Sequence, residues 1–92
     1  MDKETPVTTN EAVNHPSHYI WLKEFCGIEP IDITRHLNFN LGNSIKYILR
    51  AGKKPLGKHT DNNIDLKEGA IQDLRKALFY LNDEINRIES WE

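Results

Sequence analysis

The chain has 92 residues, a formal net charge of −2 and 38% hydrophobic residues. That length fits one small domain with a modest core, and the near-neutral charge excludes a nucleic-acid polycation, so nucleic acid is not an expected partner. The single cysteine, Cys26, rules out an intrachain disulfide framework, no apolar run approaches membrane-spanning length, and "MDKETPVTTNEAVN" lacks the apolar stretch of a signal peptide. The expected setting is therefore a reducing cytoplasm with no membrane contact.

Residues 1–13 are polar and read as a flexible N-terminal tail, and residues 14–92 as one helical domain. In "NHPSHY", Pro16 favours a turn at His15. "YIWLKEFCG" is compact and apolar, too short for periodicity to type, and closed by Gly27. "EPIDITRHLNF" places Pro30 where a first helical turn tolerates it, with Ile33 and Leu37 four apart, which predicts a short helix. In "LGNSIKYILRAG" the helical spacing of Leu41, Ile45, Ile48 and Leu49 predicts a helix capped by Asn43 or Ser44 and ended by Gly52. Pro55, Gly57 and "DNN" mark a loop over 53–63.

The last segment carries the clearest pattern. Ile64, Ile71, Leu74, Leu78, Leu81, Ile85 and Ile88 recur at alternating steps of three and four, with Lys67 in the one vacant position. This predicts a helix of about 25 residues, about 37 Å long, capped within Asp61–Asn63. Ala70, Ala77 and Tyr80 form a flanking stripe. Two apolar faces on one helix predict two packing partners: the chain's own shorter helices on part of the 71-to-88 seam, and a second copy of the chain toward Ile85, Ile88 and Trp91. The fold class is all-α, with two or three short helices packed on one long C-terminal helix, and a homo-oligomer is expected with its ligand site near the interface.

"GKKPLGKHT", residues 52–60, nearly spells a phosphate-binding P-loop, with Gly52, Gly57 and Lys58 in place. His59 stands where the hydroxyl belongs, Pro55 interrupts the loop, and the segment before it reads as a helix rather than a strand. The motif lacks the strand–loop–helix context that makes it work, so Gly52 reads as a helix end and Lys58 as a solvated turn residue. The lysines and arginine nearer the helix differ. Lys46, Arg50, Lys53, Lys54 and Lys58 fall within thirteen residues that contain no acid. Asn43, Lys46, Tyr47 and Arg50 occupy positions i, i+3, i+4 and i+7 and share one helix face. Guanidinium and ammonium groups bind phosphate, and a tyrosine can stack on a base. An ordinary wet helix face carries the same residue types.

Four blocks of the sequence, "HPSHY" at 15–19, "IEPID" at 28–32, "GNSIKYILRAGKK" at 42–54 and "DLRKALFYL" at 73–81, resemble the motifs of the phage domain-of-unknown-function 3310 family. The match spans about residues 14–81. Ser44 departs from the family's usual alanine, and Cys26-Gly27 from its Gly-Gly. The resemblance implies a phage protein of the infected cell's cytoplasm. It further implies a nucleotide-binding protein and, more specifically, a kinase of deoxynucleoside monophosphates that lacks a P-loop. The alternative it implies is a non-catalytic protein that sequesters a nucleotide immune signal or docks on a host defence protein. By position, the resemblance gives His15, His18, Tyr19, Asn43, Lys46, Tyr47, Arg50, Lys53, Lys54, Asp73 and Lys76 as ligand-binding candidates. On this reading Lys46, Arg50 and Lys53 hold phosphates, Tyr19 or Tyr47 stacks the base, and Asp73 orients Lys46, Arg50 or a sugar hydroxyl. His18, Lys46 and Asp73 are the catalytic candidates, and nucleotide is the one cofactor implied.

No metal site is expected. His15, His18, Cys26 and His36 match no standard zinc spacing, and the carboxylates Asp65 with Glu68, or Asp73 with Asp32, are sparser than a magnesium-dependent all-α pyrophosphohydrolase requires. Cys26 reads as a small packed residue.

Overall fold

The computed structural model describes residues 17–91. The tail at 1–13 and His15 lie outside the described residues. A 3₁₀ turn over Ser17–Tyr19 runs into α1 (Ile20–Cys26), followed by α2 (Pro30–Thr34), α3 (Phe39–Arg50) and the long α4 (Asn62–Glu89). Among the described residues there is no strand, so the architecture is all-α, with short helices set against one long C-terminal helix.

Local chemistry accounts for the breaks. Gly27 ends α1 in the left-handed region, φ 79°, where its N–H bonds back to the Lys23 carbonyl. Pro30 opens α2, and the Glu29 N–H donates to Asp32 Oδ2 at 2.8 Å across the first turn. α3 begins earlier than its apolar spacing suggests. Asn38 is the cap, its Oδ1 accepting the Leu41 N–H at 2.8 Å, whereas Asn43 and Ser44 lie inside the helix. Their side chains bond back to the Phe39 and Asn40 carbonyls instead, as short polar side chains within a helix do. Gly52, φ 83°, follows the end of α3, and Asp61 caps α4 by accepting from the Asn63 and Ile64 N–H groups.

α4 packs on α3 through the face beside the apolar seam, where Ala77 of the flanking stripe is buried and Ala70 and Tyr80 are half-buried. The buried residues of α4 are Asp65, Gly69, Asp73, Ala77 and Glu84, a polar and small-residue stripe with a period close to four. Ser44, the most deeply buried side chain, faces Ala77 there, its hydroxyl 3.5 Å from the Ala77 carbonyl. The expectation that part of the 71-to-88 seam packs on the chain's own helices is thereby corrected for every position but Leu81. Ile71, Leu74, Leu78, Ile85 and Ile88 are all exposed and Leu81 is half-buried. The reason is steric and electrostatic: small residues let the two backbones approach, and each buried carboxylate of the stripe finds its donors. Glu84 accepts from Asn38, Asn40 and both Arg87 donors, which together hold its carboxyl down at about 2, with the Arg87 bonds dominant.

At Gly69 the loop after α3 crosses α4. A methyl group at this position would collide with the Lys54 carbonyl and lie 2.9 Å from the Leu56 nitrogen, so only glycine admits the crossing.

Candidate functional site

The glycine–lysine loop does gather backbone amides around an anion, but the anion belongs to the chain. Gly57, Lys58 and His59 donate their N–H groups to the Asp65 carboxylate at 2.7, 2.9 and 2.9 Å. These bonds lower the Asp65 pKa against the opposing effect of burial, the Gly57 bond contributing most. A concave set of successive amides is a phosphate-binding arrangement. Here it is filled from within, and it fastens the loop to the first turn of α4. The Lys58 side chain takes no part.

The helix face read from the sequence forms a second and different cluster. Arg50, at the end of α3, donates from Nε and Nη2 to Asp73 Oδ1 at 3.1 and 2.7 Å. Three cationic heads surround the Tyr47 ring: Lys46 Nζ at 5.1 Å, Arg50 Cζ at 4.7 Å and Lys76 Nζ at 5.3 Å from its centroid. Tyr47 is stacked on Tyr80 at 6.0 Å, and Phe39 meets Tyr80 edge-on at 5.7 Å, so an aromatic ladder fixes where α3 presents its charges. His18 lies in the same field. Its pKa is lowered, first by burial and then by Arg50 and Lys54, with Asp73 acting in the opposite direction.

The cluster is electrically one-sided. No two of the three heads around Tyr47 are more than about 10 Å apart, roughly one screening length at 0.1 M salt. Among the described residues Asp73 is the one carboxylate bonded to any of them, and it is committed to Arg50 through Oδ1 alone. Its Oδ2 is buried and has no hydrogen-bond partner among the described residues. A cavity of about 270 Å³ adjoins the cluster on the α2 side, lined by Leu37, Phe39, Gly42, Asn43 and Lys46 among others.

Of the sequence-derived candidates, the structure brings together His18, Lys46, Tyr47, Arg50, Asp73 and Lys76, with Lys54 close enough to bias His18. Asn43 lines the adjoining cavity. Lys53 points its ammonium over the Trp21 ring instead, at 4.9 Å from the centroid. Tyr19 is corrected as a base-stacking group. It is buried, its hydroxyl donates to the Lys46 carbonyl at 3.0 Å, and burial is the main cause raising its pKa to about 12. Tyr19 therefore pins the N-terminal turn to α3. His36 and Cys26 are exposed and stand apart, and among the described residues no three His, Cys, Asp or Glu side chains converge on one point.

Two features were missed in the sequence. Gly69 positions Lys54 by letting the loop cross, and a glycine inside a long helix, costing about 1 kcal/mol relative to alanine, was the available signal. The Asn38–Asn40–Glu84–Arg87 network clamps the far end of α3 to α4, and nothing local links positions so far apart.

A family model described as "Protein of unknown function (DUF3310)" matches residues 13–82. The chain belongs to the DUF3310 family. The match takes in every block that forms the cluster, from the turn at His18 to Lys76 on α4. It stops before the Glu84–Arg87 clamp. No curated protein and no solved structure matches this DUF3310 chain. Among its described residues, no helix is long and apolar enough to cross a membrane.

Proposed function

We propose that this DUF3310 protein binds a nucleotide through its phosphates, at the cluster between the N-terminal turn, α3 and α4. The observation that carries the reading is the set of three cationic heads around Tyr47, answered by one carboxylate among the described residues. Half-buried cations held at this spacing repel one another, and a polyanion relieves that repulsion. Lys46 and Lys76 hold phosphate oxygens. Arg50 offers its guanidinium from a position fixed by Asp73. The cavity beside Lys46, with Phe39 and the Asn43 amide, takes the sugar or base. His18, whose pKa is depressed by burial and by the surrounding cations, stays neutral near pH 7 and is available to accept a proton.

Within this reading the specific activity is phosphoryl transfer to a deoxynucleoside monophosphate without a P-loop, in the cytoplasm of a phage-infected cell, with Lys46 and Arg50 neutralising charge. A second reading, sequestration of a nucleotide without turnover, has an observation of its own. Two carboxylates that contact the basic segment are engaged, Asp65 by three backbone N–H groups and Asp73 by Arg50. The test is incubation with labelled deoxynucleoside monophosphate and a triphosphate donor, followed by chromatography before and after heat denaturation. Labelled diphosphate establishes the kinase. Unchanged nucleotide that travels with the native protein and is freed by heat establishes sequestration. Label that never travels with the protein and never changes overturns both.

A further inference from the structure

We propose that α4 pairs antiparallel with α4 of a second copy through its outward seam, leaving each subunit's basic cluster open to solvent. The seam is Ile71, Leu74, Leu78, Leu81, Ile85 and Ile88. Its alternating steps of four and three are the a/d pattern of a helix that packs along another long helix. Five of the six are between 38% and 56% exposed. Among the described residues no other helix covers them. α3, the next longest at 12 residues, is already spent on the Asp65–Gly69–Asp73–Ala77 face of α4. At 100° per residue that face and the seam point about 120° apart. Leu22, Tyr19 and Ala77 are the buried apolar side chains among the described residues, a small core for a domain of this size.

The occupant follows from the seam's own symmetry. About 26 Å of helix separates Ile71 from Ile88. Turned end for end about a two-fold axis, the seam meets itself: Ile71 with the second copy's Ile88, Leu74 with its Ile85, Leu78 with its Leu81. A two-fold interface requires this self-complementarity. Charge selects the direction. In a parallel pair Lys67, which occupies a d position, meets its own copy. In the antiparallel pair Lys67 lies near the second copy's Trp91, and Arg75 lies beside its Asn82 and Asp83. The like-charge approach of Glu68 and Glu89 falls at the rim, where His59 lies 2.9 Å from Glu68. Asp73 and Lys76 sit on α4 well away from the seam, so the pairing leaves their cluster uncovered.

Light scattering after size exclusion reads the mass, and paired nitroxide labels read the direction. The expected mass at tens of micromolar protein is twice 10.7 kDa. Leu74→Asp combined with Leu78→Asp, both at exposed positions, reduces it to one chain with the helical circular dichroism unchanged. Labels are placed singly at Asn82 and at Glu89 in a Cys26→Ser background, and double electron–electron resonance gives each same-site distance. Antiparallel pairing staggers the two Asn82 labels by about 8 Å along the axis and the two Glu89 labels by about 28 Å. The Glu89 distance is therefore much the longer. A single-chain mass for the parent protein, or equal short distances at both sites, overturns the proposal.

Discussion

Removing the Arg50 guanidinium should destabilise the fold before it says anything about ligands. Asp73 has a side chain 3% exposed, and both of the hydrogen bonds it receives come from Arg50 onto Oδ1. Arg50→Ala leaves a buried carboxylate with neither oxygen satisfied. Truncating one partner of a buried ion pair costs about 3–5 kcal/mol. A small domain holds about 5 kcal/mol at the low end of the usual range, so the variant should keep only about 0–2 kcal/mol of stability at 25 °C, with up to about half of the chains unfolded. Replacing both partners with apolar residues of similar size, Arg50→Met with Asp73→Leu, removes the charge and its need together. It should recover most of the loss, because such exchanges are often neutral. Urea titrations followed by circular dichroism on the parent, both single variants and the double variant, at one protein concentration, give the cycle. Single variants within about 1 kcal/mol of the parent, or a double variant as unstable as the sum of the singles, would refute the reasoning.

Lys58→Ala should leave nucleotide affinity unchanged in a binding titration, since it is the residue's backbone N–H that holds Asp65 and alanine keeps it; a loss as large as that from removing Lys46 would contradict this. Gly69→Ala should cost about 1–3 kcal/mol by forcing the loop backbone off α4, and amide exchange at Leu56, whose N–H bonds to the Asp65 carbonyl, should accelerate; an unshifted melting curve would be the failing result. Acid should act in two windows. The folded pKa of His18 is lowered, so its contribution to stability is present above about 6.5 and is lost as pH falls below that value. The folded pKa of Glu84 is about 2 against an ordinary 4.5, so its contribution is lost as pH falls from 4.5 toward 2. His18→Asn should remove the upper transition from a plot of urea midpoint against pH, and Glu84→Gln the lower one; a plot unchanged by either substitution would contradict the assignment. A bound phosphate raises the His18 pKa, so the parent protein should take up more protons on binding nucleotide than His18→Asn does, measured by calorimetry in buffers of different ionisation enthalpy near pH 6.

Helix existence was legible because it is local. Pro30, Gly27, Gly52 and Asp61 each mark a boundary through their own backbone or capping chemistry, and the structure keeps all four. The face that gathers Lys46, Tyr47 and Arg50 was legible for the same reason, since helical spacing alone puts them together. What the sequence hid is which face of α4 turns inward. Periodicity reports the apolar stripe and assumes that it is buried by the same chain. Asp73 and Glu84 are inside because Arg50 and Asn38, tens of residues away in sequence, satisfy them, helped at Glu84 by Arg87 one turn on, and no local pattern encodes the two long-range pairings. The cap of α3 failed on a local ambiguity, because Asn38, Asn43 and Ser44 are all good caps. The near-P-loop proved to be a true amide nest whose anion, Asp65, lies on the following helix.

The central claim is that the cations around Tyr47 exist for a phosphorylated ligand. Isothermal titration of the parent protein and of Lys46→Gln combined with Lys76→Gln, with deoxynucleoside mono- and triphosphates at two salt concentrations, tests it most directly. Both lysines are half-buried and neither makes an ion pair among the described residues, so the variant should fold as the parent does. The account predicts saturable binding by the parent that weakens with salt, and a loss of about 3–6 kcal/mol in the variant from two charged hydrogen bonds. Parent and variant binding with the same affinity, both folded, would contradict it.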